Sequence, residues 1–150
     1  GYDSDLTFAN PTSGYFYDQN ILLKGTDFNA RVPENVTEVT FDYLTIPDNV
    51  ELIDFSLAND FGVVGWMDGT HLYITQVEGK EIYANVNSSG MFSNKQKLVA
   101  IHFNNFNSSN VKEMGWFVRD CTNLPSFDFT NLDTSSADNV CLIKISFNNL

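Results

Sequence analysis

Basic charge is scarce in this sequence. Eight Lys and Arg stand against nineteen Asp and Glu, a formal balance of −11 and a pI near 4.2. The eight cations are dispersed, so no basic patch exists to neutralise phosphates, and nucleic acid is excluded as an expected partner. Docking on an anionic bilayer surface is disfavoured for the same reason. No run of 18 apolar residues occurs, so no membrane insertion is expected. Two cysteines, Cys121 and Cys141, are too few for a disulfide framework. Two histidines, His71 and His102, have no Cys, His or carboxylate at ligand spacing in the chain, so neither a metal nor a cofactor is expected. The acidic runs Asp3-Ser-Asp5 and Asp133 to Asp138 do not satisfy a calcium loop and read as solvated carboxylates. Nucleophile elbows, zincin helices and phosphate loops are all missing. Catalysis is not the expected role.

What is present is aromatic and apolar. Thirteen phenylalanines and 43% hydrophobic residues in 150 exclude disorder and are enough for one core or two small ones. The chain opens Gly1-Tyr-Asp-Ser-Asp-Leu6, without Met or an apolar leader, which suggests a removed signal or an excised piece.

The strongest signal is internal repetition. Leu98-Val-Ala-Ile101-His-Phe103-Asn-Asn105-Phe106 reads as L-x-x-Φ-x-F-x-N-Φ, where Φ is apolar. Leu124-Pro-Ser-Phe127-Asp-Phe129-Thr-Asn131-Leu132 and Leu142-Ile-Lys-Ile145-Ser-Phe147-Asn-Asn149-Leu150 read the same way. Leu98 and Leu124 are 26 residues apart, and the match extends outside the motif, with Met91 answering Phe117 and Met114 answering Val140. The third copy follows after only 18 residues, so its return segment is trimmed.

Alternation gives the motif a physical meaning. In a strand Ile101 and Phe103 face one side while Ala100 and His102 face the other. The asparagine two places after Phe falls where the chain turns, within reach of backbone groups that need partners. Stacked units would line up Asn105, Asn131 and Asn149 along an edge and Phe103, Phe129 and Phe147 in the interior. A single unit cannot cover its own apolar face. The competing reading is an irregular β-sandwich with coincidental similarity.

Upstream, Thr37-Glu-Val39-Thr-Phe41-Asp-Tyr43 alternates as a half-buried strand, and Leu52 to Leu57 reads as a strand edge. Val63 to Met67, Asp68-Gly69 and Leu72 to Ile74 read as a hairpin. Glu78-Gly79 then turns into Glu81 to Ala84, completing an expected three-stranded antiparallel meander. Single helical turns are expected at Ser109 to Met114 and Ser135 to Val140. Cys121 occupies an interior position, and Trp66 and Trp116 are both expected in the core.

Residues 91–140 resemble the BspA-like repeats of bacterial surface proteins, whose pattern runs approximately MF-x-x-C-x-x-L-x-x-L-D-x-S-x-F-D-T-S-x-V-x-x-M. The residues carrying this are Met91-Phe92, Phe106 to Val111 and Cys121-Thr-Asn-Leu124. Lys95 replaces the usual Cys, Ala137 the usual Val, and Pro125 is atypical before a strand. Asn29 to Pro33, Val39 to Phe41, and Val63 to Asn85 are similar to segments that precede such repeats.

The resemblance implies a leucine-rich-type solenoid displayed outside the cell or on a phage virion, and adhesion to a protein or glycan receptor. The expected fold is mainly β, a short solenoid of stacked parallel strands preceded by an antiparallel β-meander cap. Residues 1–24 form an arm or strand pair, 25–87 the capping region and 88–150 the repeats. Expected contact residues are the outward positions Ala100 and His102, Ser126 and Asp128, and Lys144 and Ser146. The alternative is a structural or decorating domain that oligomerises or assembles through its C-terminal layer.

Overall fold

The computed structural model describes residues 20–125 and 131–138. These residues are mainly β. They form one short helix, α1 (Gly25–Arg31), and five strands: β1 (Glu38–Phe41), β2 (Ile53–Asp54), β3 (Val63–Asp68), β4 (His71–Gln76) and β5 (Ala100–Phe103). The strands make one mixed open sheet in the order β2-β3-β4-β1-β5.

The hairpin forms where Asp68-Gly69 places it. Gly69 takes φ +63°, a left-handed value that glycine reaches without penalty, and Asp68 pairs with His71 across the turn. The third antiparallel strand is not Glu81 to Ala84, as the alternation suggests, but β2, which pairs Ile53 with Gly65. Gly65 permits this because a Cβ there would sit 2.6 Å from the Phe55 ring. The antiparallel strands lie at one end of the same sheet. β4 pairs in parallel with β1 (Val39 with Leu72), and β1 pairs in parallel with β5 (Val39 with Ile101), so hairpin and parallel strands share one sheet.

Alternation sets the two faces. Val39, Phe41, Leu72, Ile74 and Phe103 point inward and are buried, with Ile101 packed beside them. The centre of the core is phenylalanine. Phe41 stacks on Phe103 at 5.6 Å and 8° between planes, and meets Phe106 at 4.8 Å and Phe28 of α1 at 6.1 Å. Phe92 closes the group edge-on against Phe28, Phe41 and Phe117. Such ring pairs add roughly 0.5–1.5 kcal/mol each beyond the area they bury.

Helix α1 has weak local support: it begins at glycine and no side chain caps it. Its position comes from packing, with Phe28 fully buried and the Asn29 amide donating to the carbonyls of Met91 and Ser93. The turns expected at Ser109 to Met114 contain no helix. That stretch carries bridges and turns instead, because its backbone pairs with residues above it rather than with itself.

Those pairings join segments that are distant in sequence. Isolated parallel bridges join Ile21 with Tyr83, Tyr83 with Asn107, and Asn87 with Glu113. Asn87 and Glu113 are 26 residues apart, the period read from the motif. The ladder continues with the N–H of Gly90 donating to Gly115 O (2.8 Å), Phe92 to Phe117 O (2.9 Å) and Asn94 to Arg119 O (2.7 Å). Lys95, in the place of the usual Cys, is buried, with its ammonium on Val32 O (3.1 Å) and Glu34 Oε2 (2.7 Å).

Among the described residues no helix is long and apolar enough to cross a membrane.

Candidate functional site

The outer face of the three parallel strands carries the chemistry. Register alone assembles it. Glu38 of β1 stands between His71 of β4 and Ala100 of β5, and Thr40 stands between Tyr73 and His102. Neighbouring strands are roughly 4.8 Å apart, so these side chains are forced into contact.

Glu38 is the hub. Its Oε2 lies 2.6 Å from His102 Nε2 and its Oε1 3.6 Å from His71 Nδ1. The other nitrogen of His71, Nε2, is 2.8 Å from Thr40 Oγ1. The His71 ring lies flat on Tyr73 at 4.0 Å and 4°, and Tyr73 stacks in turn on Trp66 at 5.9 Å. Ala100, the small residue beside Glu38, leaves the carboxylate and His102 accessible from that side. Further along, Asn104 Nδ2 donates to Asp42 Oδ2 at 3.1 Å.

The connection Thr40–His71–Glu38 has the order of an acyl-transfer relay, but its hydroxyl is poorly exposed. The Thr40 hydroxyl is largely buried on a central strand flanked by partners on both sides. The Thr40 backbone is held between β4 and β5, which fixes the hydroxyl in place. The arrangement instead fixes the ring orientations, and what it offers a ligand is a rigid set of donors, acceptors and ring edges.

At the C-terminal ends of β1 and β5 a hollow of about 400 Å³ adjoins this face, and Asn105 and Asn131 both line it. Asn105 is buried. Its Oδ1 accepts from the N–H of Ile82 (3.1 Å) and its Nδ2 donates to Lys80 O (3.1 Å), so the side chain satisfies turn backbone. Asn131 is exposed. Asp133 accepts the Ser135 N–H at 2.9 Å, and hydrogen bonding from Ser135 holds its carboxyl below the ordinary range.

Of the residues expected on the outer strip, Ala100 and His102 lie on this face. Ser126, Asp128, Lys144 and Ser146 fall outside the described residues, as do Phe129, Phe147, Asn149 and Cys141. Sequence spacing missed Glu38, Thr40, His71 and Tyr73, because they come from strands more than 30 residues apart and register alone joins them. The histidines have no carboxylate at ligand spacing in the sequence, but the fold brings Glu38 to both. The placement of Trp116 in the core is overturned, since its side chain is 45% exposed, whereas Trp66 is buried. The signal for Trp116 was its alignment with Gly90 one period earlier. A turn that takes glycine has no interior slot for an indole.

Cys121 is fully buried, with its Sγ–H on Phe92 O at 3.0 Å, and burial pushes the thiol up to about 11. The thiolate is the reactive form. In a Cys141→Ala protein, Cys121 is therefore expected to react with an aromatic disulfide reagent at pH 8 only at the rate of unfolding. Reaction as fast as that of an exposed thiol would contradict this burial. The linkage has a definite sign. Because the folded state keeps the proton longer, the contribution of Cys121 is present below its ordinary value near 9 and is lost as pH rises toward 11.

No protein-family model, curated protein or solved structure matches this chain.

Proposed function

We propose that the protein is a non-catalytic, extracellular binding module, a short leucine-rich-type solenoid of the kind seen in BspA-like surface proteins. It engages a protein or glycan receptor through the outer face of its parallel strands. The ladder at a 26-residue period, with Phe103 stacked on Phe41, supports the stacked-repeat reading.

The observation carrying the binding role is the Glu38–His71–His102 group. Three polar side chains from three strands are locked together on a hydrogen-bonded sheet, above a buried phenylalanine core. A face whose side chains are already fixed loses little entropy on association, which favours recognition. Its polar groups and ring edges suit a receptor presenting hydroxyls or amides.

The test is a glycan and matrix-protein array probed with the wild-type chain and with His102→Ala and Glu38→Gln. Binding that falls about tenfold or more in either variant supports the reading. Unchanged binding places the contact elsewhere. Hydrolysis of an array glycan that disappears in Thr40→Val replaces the binding role with an enzymatic one. A stable oligomer in solution that buries this face, with no array signal, favours a decorating or assembly domain.

A further inference from the structure

Away from the strand face, the return segments carry a second group of residues that the repeat itself does not require. Gly90 and Trp116 stand one period apart and share a left-handed backbone, with φ +71° and +58°. Asn94 and Asp120, also one period apart, repeat the feature at +64° and +60°. The turn thus demands positive φ in both copies. Glycine and asparagine enter that region readily, but a bulky indole is strained there. Burial does not compensate for the strain at Trp116, because the side chain is 45% exposed. Strain held at an exposed aromatic points to a ligand contact.

The surroundings indicate which ligand. The Arg119 guanidinium lies over the indole, 4.5 Å from the ring centroid. Both border a cavity of about 310 Å³ together with Thr26, Asn29, Ser93 and Asn94. That volume is at the small end for ligand sites and suits one monosaccharide unit. No carboxylate lines it, in a chain whose net charge is −11. Arg119 does pair with Asp120, but at 3.4 Å and on the surface, where such pairs are weak. An aromatic ring, a cation, three hydroxyls (Thr26, Ser89 and Ser93) and two amides (Asn29 and Asn94) match a pyranose bearing a carboxylate.

We infer that this groove binds an acidic sugar, its C–H face against the side of Trp116 that Arg119 leaves uncovered, its carboxylate on Arg119 and its hydroxyls toward Thr26, Ser93 and Asn94. This site is separate from the strand face and stands or falls without it.

Ligand-observed saturation-transfer NMR on the full chain provides the test, with glucuronate and N-acetylneuraminate as acidic probes and glucose as the neutral one. Saturable binding of at least one acid is expected, about tenfold tighter than glucose. Arg119→Gln should remove that preference. Trp116→Gly should abolish binding while leaving the melting temperature unchanged or raised, because glycine relieves the strained backbone. A structural tryptophan would behave in the opposite way, so a lowered melting temperature overturns the inference. Binding of glucose as tight as of the acids, or no response to either acid, overturns it too. Capture of a protein partner through Trp116 without any sugar response would assign the ring to a protein contact and equally reject the sugar.

Discussion

Truncating Phe41 to alanine is expected to lower the unfolding free energy by about 3–5 kcal/mol, enough to threaten folding of a domain this size. Phe41 is fully buried on the central parallel strand and has ring partners on several sides: Phe28 of α1, Phe92, Phe103 of β5 and Phe106 just beyond it. Removing it leaves a cavity whose walls are other rigid rings, which cannot collapse to fill the gap. Its backbone is also engaged, since Phe41 O accepts the N–H groups of both Asn104 and Asn105 at 2.9 Å. Urea unfolding gives the measurement, as a drop in midpoint at an unchanged slope. Tyr43→Ala, two residues on and 56% exposed, is the control and should stay within about 0.5 kcal/mol. A loss below 1 kcal/mol for Phe41→Ala would mean that the stacked rings are not the core. Because Glu38 and Thr40 lie on the same short strand, the variant should also weaken binding at the outer face.

The strand containing Phe103 was legible in the sequence because alternation is a local property. The period of two in Ala100-Ile-His-Phe103 fixes which side chains face the core, whatever the strand pairs with. The hairpin at Gly69 was legible for a similar reason, since turn chemistry resides in two adjacent residues. Pairing was not. β1 and β5 join across 62 residues, and nothing in Glu38 to Phe41 states that its neighbours are β4 and β5. The Glu38–His71–His102 group is a consequence of that register, so it was hidden for as long as the register was. Helix α1 was missed on propensity, because a segment opening at Gly25 and containing Asn29 has little helical preference of its own. Its helicity comes from burying Phe28. The 26-residue interval, by contrast, held more information than the motif alone reveals: applied to glycine, it marks Trp116 as exposed and strained.

The second large effect is expected at Gly25, and its sign is opposite to the usual rule. Replacing glycine by alanine within a helix ordinarily gains up to about 1 kcal/mol. Here Gly25→Ala is expected to cost about 3 kcal/mol or more, because the new methyl has no space. A Cβ at Gly25 would lie 2.0 Å from Ser89 O, 2.6 Å from Ser88 C and 2.8 Å from Ser88 O. All three are backbone atoms, so no rotamer change relieves the overlap. The backbone is not free to retreat either. Gly25 N donates to Asn87 O at 2.9 Å, Ser88 N to Glu113 O at 2.9 Å and Gly90 N to Gly115 O at 2.8 Å. Moving residues 88–89 away breaks bonds in both directions along the ladder, each worth about 1 kcal/mol. Gly69→Ala separates the two ways in which glycine can matter. Position 69 has nothing within 4 Å of an added Cβ but a φ of +63°, so its cost should be the conformational one alone, about 1 kcal/mol. A Gly25→Ala protein as stable as wild type would show that α1 does not rest on residues 88–89. The close approach of α1 to the backbone of residues 88–89 would then have to be abandoned, and with it that support for the sheet.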